Sequence, residues 1–200
     1  MAASPPLSLP LLILSFWLCS TAASASASPA AFIRSSCGAT RYPHLCERCL
    51  MGYAPSLRRS SPRQLAHLAL TVSADRARSA SAFVGRMAAV PGPGPRPVRS
   101  REAGAVRDCV ETMRDSVDRL RSSVREMGRM GRARSLRFQW ALSNVQTWVS
   151  GALTDETTCL DGLSRGVSPA VRSAIRGKVV EVAQVTSNAL ALVNRIGQRN

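Results

Sequence analysis

Few side chains in this 200-residue chain are spaced for catalysis or metal binding. Catalysis needs a nucleophile with a base, paired carboxylates, or a cluster of metal ligands. The two histidines, His44 and His67, have no convincing partner in the sequence around them. Between Pro91 and Pro97, prolines stand where a phosphate-binding loop would need free backbone N–H groups. We therefore predict that the chain is not an enzyme and carries no metal or cofactor site.

A pattern that favours binding lies in the segment that begins at Asp108. Four polar residues there recur at steps of four, three and four, so they would share one side of a helix. This acidic stripe consists of Glu111, Asp115, Asp118 and Ser122. An acidic stripe is unexpected on a chain with a formal charge of +15. The alternative is pairing within the helix, Glu111 with Arg114 or Asp115 with Arg119, worth about 0.2–0.5 kcal/mol per pair.

A second, weakly polar strip follows further along the chain. Its residues also recur at helical spacing and carry small or flat side chains, with one tryptophan. This polar strip consists of Trp140, Asn144, Thr147, Gly151 and Thr154. Such a surface could pack against a long helix or accept a rigid partner.

Both sets of polar residues belong to helices in an all-α fold. Apolar residues recur at steps of three and four, and no segment alternates with period two. The predicted long helices run from Pro62 to about Ala89, through Asp108–Leu120, from Phe138 to near Leu153, and from Pro169 onward. We predict an antiparallel up-down-up-down four-helix bundle, preceded by a small N-terminal helical hairpin. The proline-rich segment 91–97 is predicted to be a stiff, non-helical linker.

The cysteines fit disulfides better than chemistry. Cys109 lies early on one helix and Cys159 just past the predicted end of the next, so antiparallel packing would bring them together. A disulfide there would close a loop of about fifty residues and contribute on the order of 4 kcal/mol. Cys37 and Cys46 are spaced to close the hairpin. Cys46 and Cys49 form a C-x-x-C pair, but we favour one structural disulfide and one spare cysteine.

The N-terminal segment indicates the compartment. Residues 1–27 contain no charged side chain, and an apolar run from Leu7 to Cys19 precedes small residues around Ala25 and Ala27. This pattern predicts a secretory signal peptide over 1–27 and a domain over 28–200. No later apolar run is long enough to span a membrane. We expect a secreted protein that does not bind membranes.

The basic charge bears on the partner. Lysine and arginine total 27 against 12 acidic residues, which favours an acidic partner. Secretion and the scarcity of aromatic residues among the arginines argue against nucleic acid. An anionic wall polysaccharide such as pectin suits the compartment better, and a merely solvated basic surface is the alternative.

Several motifs together resemble the plant invertase and pectin methylesterase inhibitors over Ala30–Asn194. They are Tyr42–Cys46 (YPHLC), Asp108–Glu111 (DCVE), Asp115–Asp118 (DSVD), Thr147–Thr154 (TWVSGALT), Thr157–Gly162 (TTCLDG) and Ser187–Leu192 (SNALAL). The TWVSGALT and TTCLDG motifs are similar to the pectin methylesterase inhibitor branch and its 21 kDa protein subgroup. The proline-lysine-phenylalanine motif of invertase inhibitors is absent. Gly151 stands where that pattern commonly has alanine, a change that could loosen the helix.

The resemblance implies two disulfides and an inhibitory role. Disulfides would join Cys37 to Cys46 and Cys109 to Cys159, leaving Cys49 spare. The protein would bind a pectin methylesterase 1:1 in the apoplast, cover its active-site cleft, and limit demethylesterification of homogalacturonan in the plant cell wall. The same module also occurs as the pro-region of pectin methylesterase precursors, and the end of this chain at Asn200 favours a free-standing inhibitor.

The motif match also implies partner-facing residues. Asp115, Asp118 and Thr158 would face the enzyme, and Glu111 and Thr147 lie on the two polar surfaces beside them. Two alternatives stay open: inhibition of invertase, and a non-inhibitory basic wall protein that binds pectin.

Overall fold

The structure is a computed structural model that describes residues 28–57, 61–89, 96–164 and 166–198, without the side chains of 96–99. The predicted signal peptide, 1–27, lies outside the described residues, as does most of the predicted linker. All regular elements in the described part of the chain are helical. They are α1 (Pro29–Cys37), α2 (Pro43–Leu50), a 3-10 helix (Met51–Ser56), α3 (Pro62–Ala89), α4 (Arg96–Arg129), α5 (Leu136–Gly162) and α6 (Pro169–Gln198). None of these helices is both long and apolar enough to cross a bilayer.

The four long helices pack around one apolar core. Helix α3 contacts α4 and α6, and α5 contacts the same two helices. Neighbouring helices run antiparallel. The contacts show this, since residue numbers rise along one helix as they fall along the other. Thus Ser73 of α3 lies against Thr186 of α6, and Arg76 against Glu181. The predicted all-α bundle is confirmed.

Two polar side chains of α6 hold the hairpin formed by α1 and α2. Asn188 accepts a hydrogen bond from the backbone N–H of Tyr42 (3.0 Å) and donates one to its carbonyl (2.9 Å). Arg195 also donates to the carbonyl of Ser36, at 3.0 Å. Because Asn188 is buried, its amide must find partners, and the turn before α2 supplies both. The hairpin predicted from the sequence is confirmed.

Both predicted disulfides are present. Cys37–Cys46 joins α1 to α2, and Cys109–Cys159 joins α4 to α5, with Cα atoms 5.5 and 4.3 Å apart. Among the described cysteines Cys49 alone is unpaired, and it is half-buried. Burial raises the pKa of its thiol, although nearby arginines oppose the shift.

Two predicted boundaries are wrong. Helix α5 does not end near Leu153 but continues to Gly162, so Cys159 lies within the helix. The threonines that follow Leu153 do not break the helix, because their hydroxyls donate to carbonyls one turn back, as Thr154 does to Ser150 (3.1 Å). Helix α4 begins at Arg96, so Pro97 is helical. Proline is tolerated there because the first-turn N–H groups have no intrahelical partner.

A buried carboxyl group lies among the four helices. Glu156 of α5 is fully buried, and its Oε1 accepts hydrogen bonds from Ser116 of α4 (2.8 Å) and Thr186 of α6 (2.9 Å). Ser73 of α3 donates to the Thr186 hydroxyl at 3.4 Å. Oε2 has no partner among the described residues. Burial raises the pKa of Glu156 to about 8, against the opposing effect of the two hydroxyl donors, so the group is neutral in mildly acidic solution.

We expect Cys109→Ser to lower the free energy of unfolding by about 4 kcal/mol, because the disulfide closes a long loop in the unfolded chain. Cys49→Ser should cost far less, since no disulfide depends on it. Urea unfolding of both variants measures the difference. Comparable losses, or peptide mapping that shows Cys49 bonded to Cys37 or Cys46, would contradict the assignment.

Glu156 should make stability depend on pH. Between about pH 4.5 and 8 the folded chain keeps a proton that the unfolded chain releases, so the free energy of unfolding falls as pH rises. The limiting slope for one proton is about 1.4 kcal/mol per pH unit. Glu156→Gln should flatten this slope in urea unfolding across that range. Parallel pH profiles for the variant and the unchanged protein would show that Glu156 does not bind the proton.

Candidate functional site

The candidate site is the outer surface shared by α4 and α5, here called the α4–α5 face. It combines the acidic stripe on α4 with the polar strip and Thr158 on α5. Three contacts fix how the two helices align: the disulfide, the Ser116–Glu156 hydrogen bond, and an ion pair between Arg119 and Asp155. All three contacts lie at neighbouring levels of the helix pair, so they fix the alignment of α4 and α5 at the end of the face that carries the acidic stripe.

The acidic stripe is exposed and largely free of the chain's own arginines. Glu111, Asp115 and Asp118 are all exposed. Neither of the intrahelical pairs considered from the sequence forms among the described residues. Asp118 is 3.9 Å from Arg121, and its side chain is 79% exposed, so that pair contributes little. The stripe therefore presents three carboxylates to solvent on a strongly basic protein.

Arg119 explains why Asp115 has no partner within its own helix. Its guanidinium crosses to α5, where Nε donates to the Asp155 carboxylate at 2.9 Å. The side chain lies over Gly151, whose missing Cβ would be 3.0 Å from Arg119 Nη1 and 3.2 Å from Cδ. Gly151 thus leaves room for the arginine, and α5 runs through it without a break.

Asp155 belongs to the same surface. Burial raises the pKa of its carboxyl above the ordinary value, and the nearby Asp115 carboxylate acts in the same direction. The Arg119 charge and hydrogen bond lower the pKa and oppose both. The structure thus brings Asp115 of α4 close to Asp155 of α5, with Arg119 between the helices.

The two predicted threonines are both exposed but lie far apart. Thr158 is next to Cys159, and its hydroxyl donates to the Thr154 carbonyl at 2.8 Å, which leaves its oxygen free to accept. Thr147 lies about 16 Å from Thr158 along the helix axis, at 1.5 Å per residue. The structure therefore groups Thr158 with the acidic stripe and leaves Thr147 toward the middle of α5.

Sequence reasoning missed Asp155 and the crossing of Arg119. Asp155 lay beyond the predicted end of α5, so it was given no place on a helix. One signal in the sequence could have indicated this contact. Gly151 and Asp155 are four residues apart, so on a continuous helix a position without a side chain lies one turn from a carboxylate.

The fold and this face define a class: a disulfide-bonded helical bundle with an exposed polar surface shared by two of its helices. The chain belongs to the plant invertase/pectin methylesterase inhibitor family, whose pattern matches residues 31–192. Because this is a family of inhibitors, the prediction that the chain is not an enzyme is confirmed.

Named relatives agree with the family match. The chain is 50% identical over 170 residues to pectinesterase inhibitor 9 of Arabidopsis thaliana, covering 84% of this chain and 81% of that protein. It is 43% identical over 180 residues to the 21 kDa protein of Daucus carota, covering 89% and 90%. It also matches 28% of pectinesterase 3 of Phaseolus vulgaris, at 33% identity over 84% of this chain.

Solved structures support the fold alone. A crystal structure of mutant form A of a pectin methylesterase inhibitor from Arabidopsis aligns with a TM-score of 0.58 at 20% identity, covering 79% of this chain and 92% of that one. A second, of a pectin methylesterase inhibitor from Arabidopsis thaliana, gives 0.55 at 19% identity, covering 82% and 95%.

Gly151→Ala tests whether Arg119 is held in place. Alanine should gain up to about 1 kcal/mol of helix propensity but displace the arginine and lose part of the Arg119–Asp155 pair. The matched control is Gly177→Ala on α6, where no atom lies near the added Cβ. Urea unfolding should show a smaller gain for Gly151→Ala than for Gly177→Ala, and an Arg119→Ala background should remove the difference. Equal gains in the unchanged background would mean that Arg119 does not pack on Gly151.

Proposed function

We propose that this protein is a secreted inhibitor that binds a pectin methylesterase 1:1 through the α4–α5 face and covers its active-site cleft. In the plant cell wall it would limit demethylesterification of homogalacturonan. The observation that carries the proposal is the acidic stripe, whose carboxylates stay exposed on a protein with a formal charge of +15. The relatives named pectinesterase inhibitors support the choice of enzyme.

The rigidity of the face favours tight binding. Association costs less when side chains and helices are already ordered. Here the disulfide Cys109–Cys159 and the Ser116–Glu156 hydrogen bond hold α4 and α5 together at the level of the proposed contact. An enzyme that presents basic or hydrogen-bond-donating groups at its cleft would meet carboxylates carried on two helices that are already aligned.

Secretion is part of the proposal. It rests on the uncharged, apolar N-terminal sequence, which is typical of a signal peptide cleaved before residue 28. Once secreted, the protein would meet a pectin methylesterase in the cell wall.

Asp115→Asn combined with Asp118→Asn should weaken inhibition at least tenfold, equivalent to about 1.4 kcal/mol of binding. A carboxylate lost from a partly desolvated contact leaves the enzyme's own group unpaired. The melting temperature should hardly change, because these exposed carboxylates have no strong partners in the bundle. Thr158→Ala should act in the same direction, more weakly.

The matched control is Asp75→Asn combined with Glu181→Gln, which removes two negative charges from α3 and α6. It should leave inhibition intact. The test measures inhibition constants against a purified pectin methylesterase and a purified invertase. Melting temperatures are measured on the same preparations. Full inhibition by the Asp115/Asp118 variant would remove the stripe from the contact, and inhibition of invertase alone would replace the proposed target.

A further inference from the structure

The turn that joins α4 to α5 is strongly basic. Residues 121–137 contain six arginines and no other basic residue, and Glu126 is their one acidic residue. The arginine tip is defined here as Arg129, Arg132, Arg134 and Arg137. Among the described residues none of these four forms an ion pair within 4.0 Å, so their charges are not neutralised by the chain.

The tip is ordered by contacts to its backbone. Ser135 caps α5 by accepting from the Phe138 N–H (3.1 Å) and donates to the Arg132 carbonyl (2.7 Å). Arg137 donates to the carbonyl of Arg129 at 3.3 Å. Arg134 has φ +68°, a left-handed conformation that costs a side-chain-bearing residue roughly 1 kcal/mol. The turn therefore keeps an arginine at a position that glycine would fill with less strain.

Large apolar side chains lie exposed beside these charges. Leu136 and Trp140 are 74% and 71% exposed, and their spacing puts them on one side of the first turns of α5. The guanidinium–ring contacts of the described residues are at Tyr42 and Phe83, so no guanidinium covers the Trp140 indole. A free indole among unpaired arginines is suited to a ligand that is both anionic and flat.

The arginine tip is separate from the acidic end of the α4–α5 face. Trp140 and Thr158 lie about 27 Å apart along α5, at 1.5 Å per residue. At physiological ionic strength this exceeds the screening length of about 8 Å, so charges at the two ends act independently. The two ends of the same helix pair can therefore hold different partners.

We propose that the arginine tip, with Trp140, binds a de-esterified stretch of homogalacturonan. Each sugar of that polymer carries a carboxylate, which pairs with planar guanidinium groups, and each ring has an apolar face that stacks on an exposed indole. This inference rests on the proposed function, because the carboxylates are what a pectin methylesterase produces. The tip would hold the inhibitor on wall polymer where de-esterification has begun, while the acidic end of the face stays free for the enzyme.

The test uses the secreted chain and two polymers of matched length, fully de-esterified polygalacturonate and its highly methyl-esterified form. Affinity electrophoresis should show binding to the first, at least fivefold weaker binding to the second, and release as salt rises. Arg132→Gln combined with Arg134→Gln should weaken binding at least fivefold, and Trp140→Ala at least threefold. The charge-matched control, Arg48→Gln combined with Arg176→Gln, changes exposed arginines elsewhere and should alter binding less than twofold.

Three outcomes would overturn the proposal: equal binding to both polymers, equal loss in the control variant, or unchanged binding by Trp140→Ala. Inhibition of pectin methylesterase is measured separately on a short methyl-esterified oligomer, where polymer retention contributes nothing. The variant Arg132→Gln combined with Arg134→Gln should inhibit normally there, and reduced inhibition would assign the tip to the protein contact instead. A chain that binds polygalacturonate but inhibits no esterase would refute the proposed function and leave the tip assignment standing.

Discussion

The burial of Glu156 is the constraint on which the arrangement of the bundle depends. A carboxyl group in an apolar core costs several kcal/mol unless it is neutral or hydrogen-bonded, and here both conditions apply. Ser116 and Thr186 must sit level with Glu156 to donate to it, which fixes α4 and α6 against α5 at that height. A shift of one helical turn in either neighbour would deprive the carboxyl of one of its two donors. The group therefore penalises wrong alignments more strongly than an apolar side chain would.

That alignment also decides what the outer surface presents. With Glu156 turned inward, its neighbour Asp155 points toward α4 and meets Arg119. Arg119 can cross between the helices because Gly151 has no side chain in its path. Because the Arg119 side chain pairs with Asp155 of α5, Asp115 has no partner within its own helix. The burial of Glu156 and the absence of a side chain at Gly151 together leave the Asp115 carboxylate exposed, although the protein is rich in arginine.

The charge on the α4–α5 pair is divided along its length. Carboxylates concentrate near the disulfide, whereas arginines concentrate at the turn between the helices, beside Trp140 and Leu136. The formal charge of +15 conceals this division, because it is summed over the whole chain. Long-range attraction to acidic surfaces and close contact with a protein partner can therefore come from different parts of one rigid element.

Much of the fold could be predicted from the sequence. Apolar periodicity and cysteine spacing predicted four long helices, a hairpin and both disulfides, because these features act locally or through one antiparallel pairing. The acidic stripe was also readable, since helical spacing alone places Glu111, Asp115 and Asp118 together. The predicted end of α5 is wrong because residues 154–158 are all polar and continue no apolar stripe. Only packing shows that Glu156 faces the core and extends the helix beyond it.

Tertiary structure alone decided which charges are free. From the sequence alone, Asp115 would pair with Arg119, four residues away on the same helix. Arg119 instead pairs with Asp155 because Gly151 of α5 leaves space for its side chain, and local sequence does not show that space. The same holds for Trp140, whose spacing suits either a packed or an exposed surface until the neighbouring helices are in place. Spacing along one helix fixes which residues share a side, but only the neighbouring helices determine whether that side is covered, paired or open to a partner.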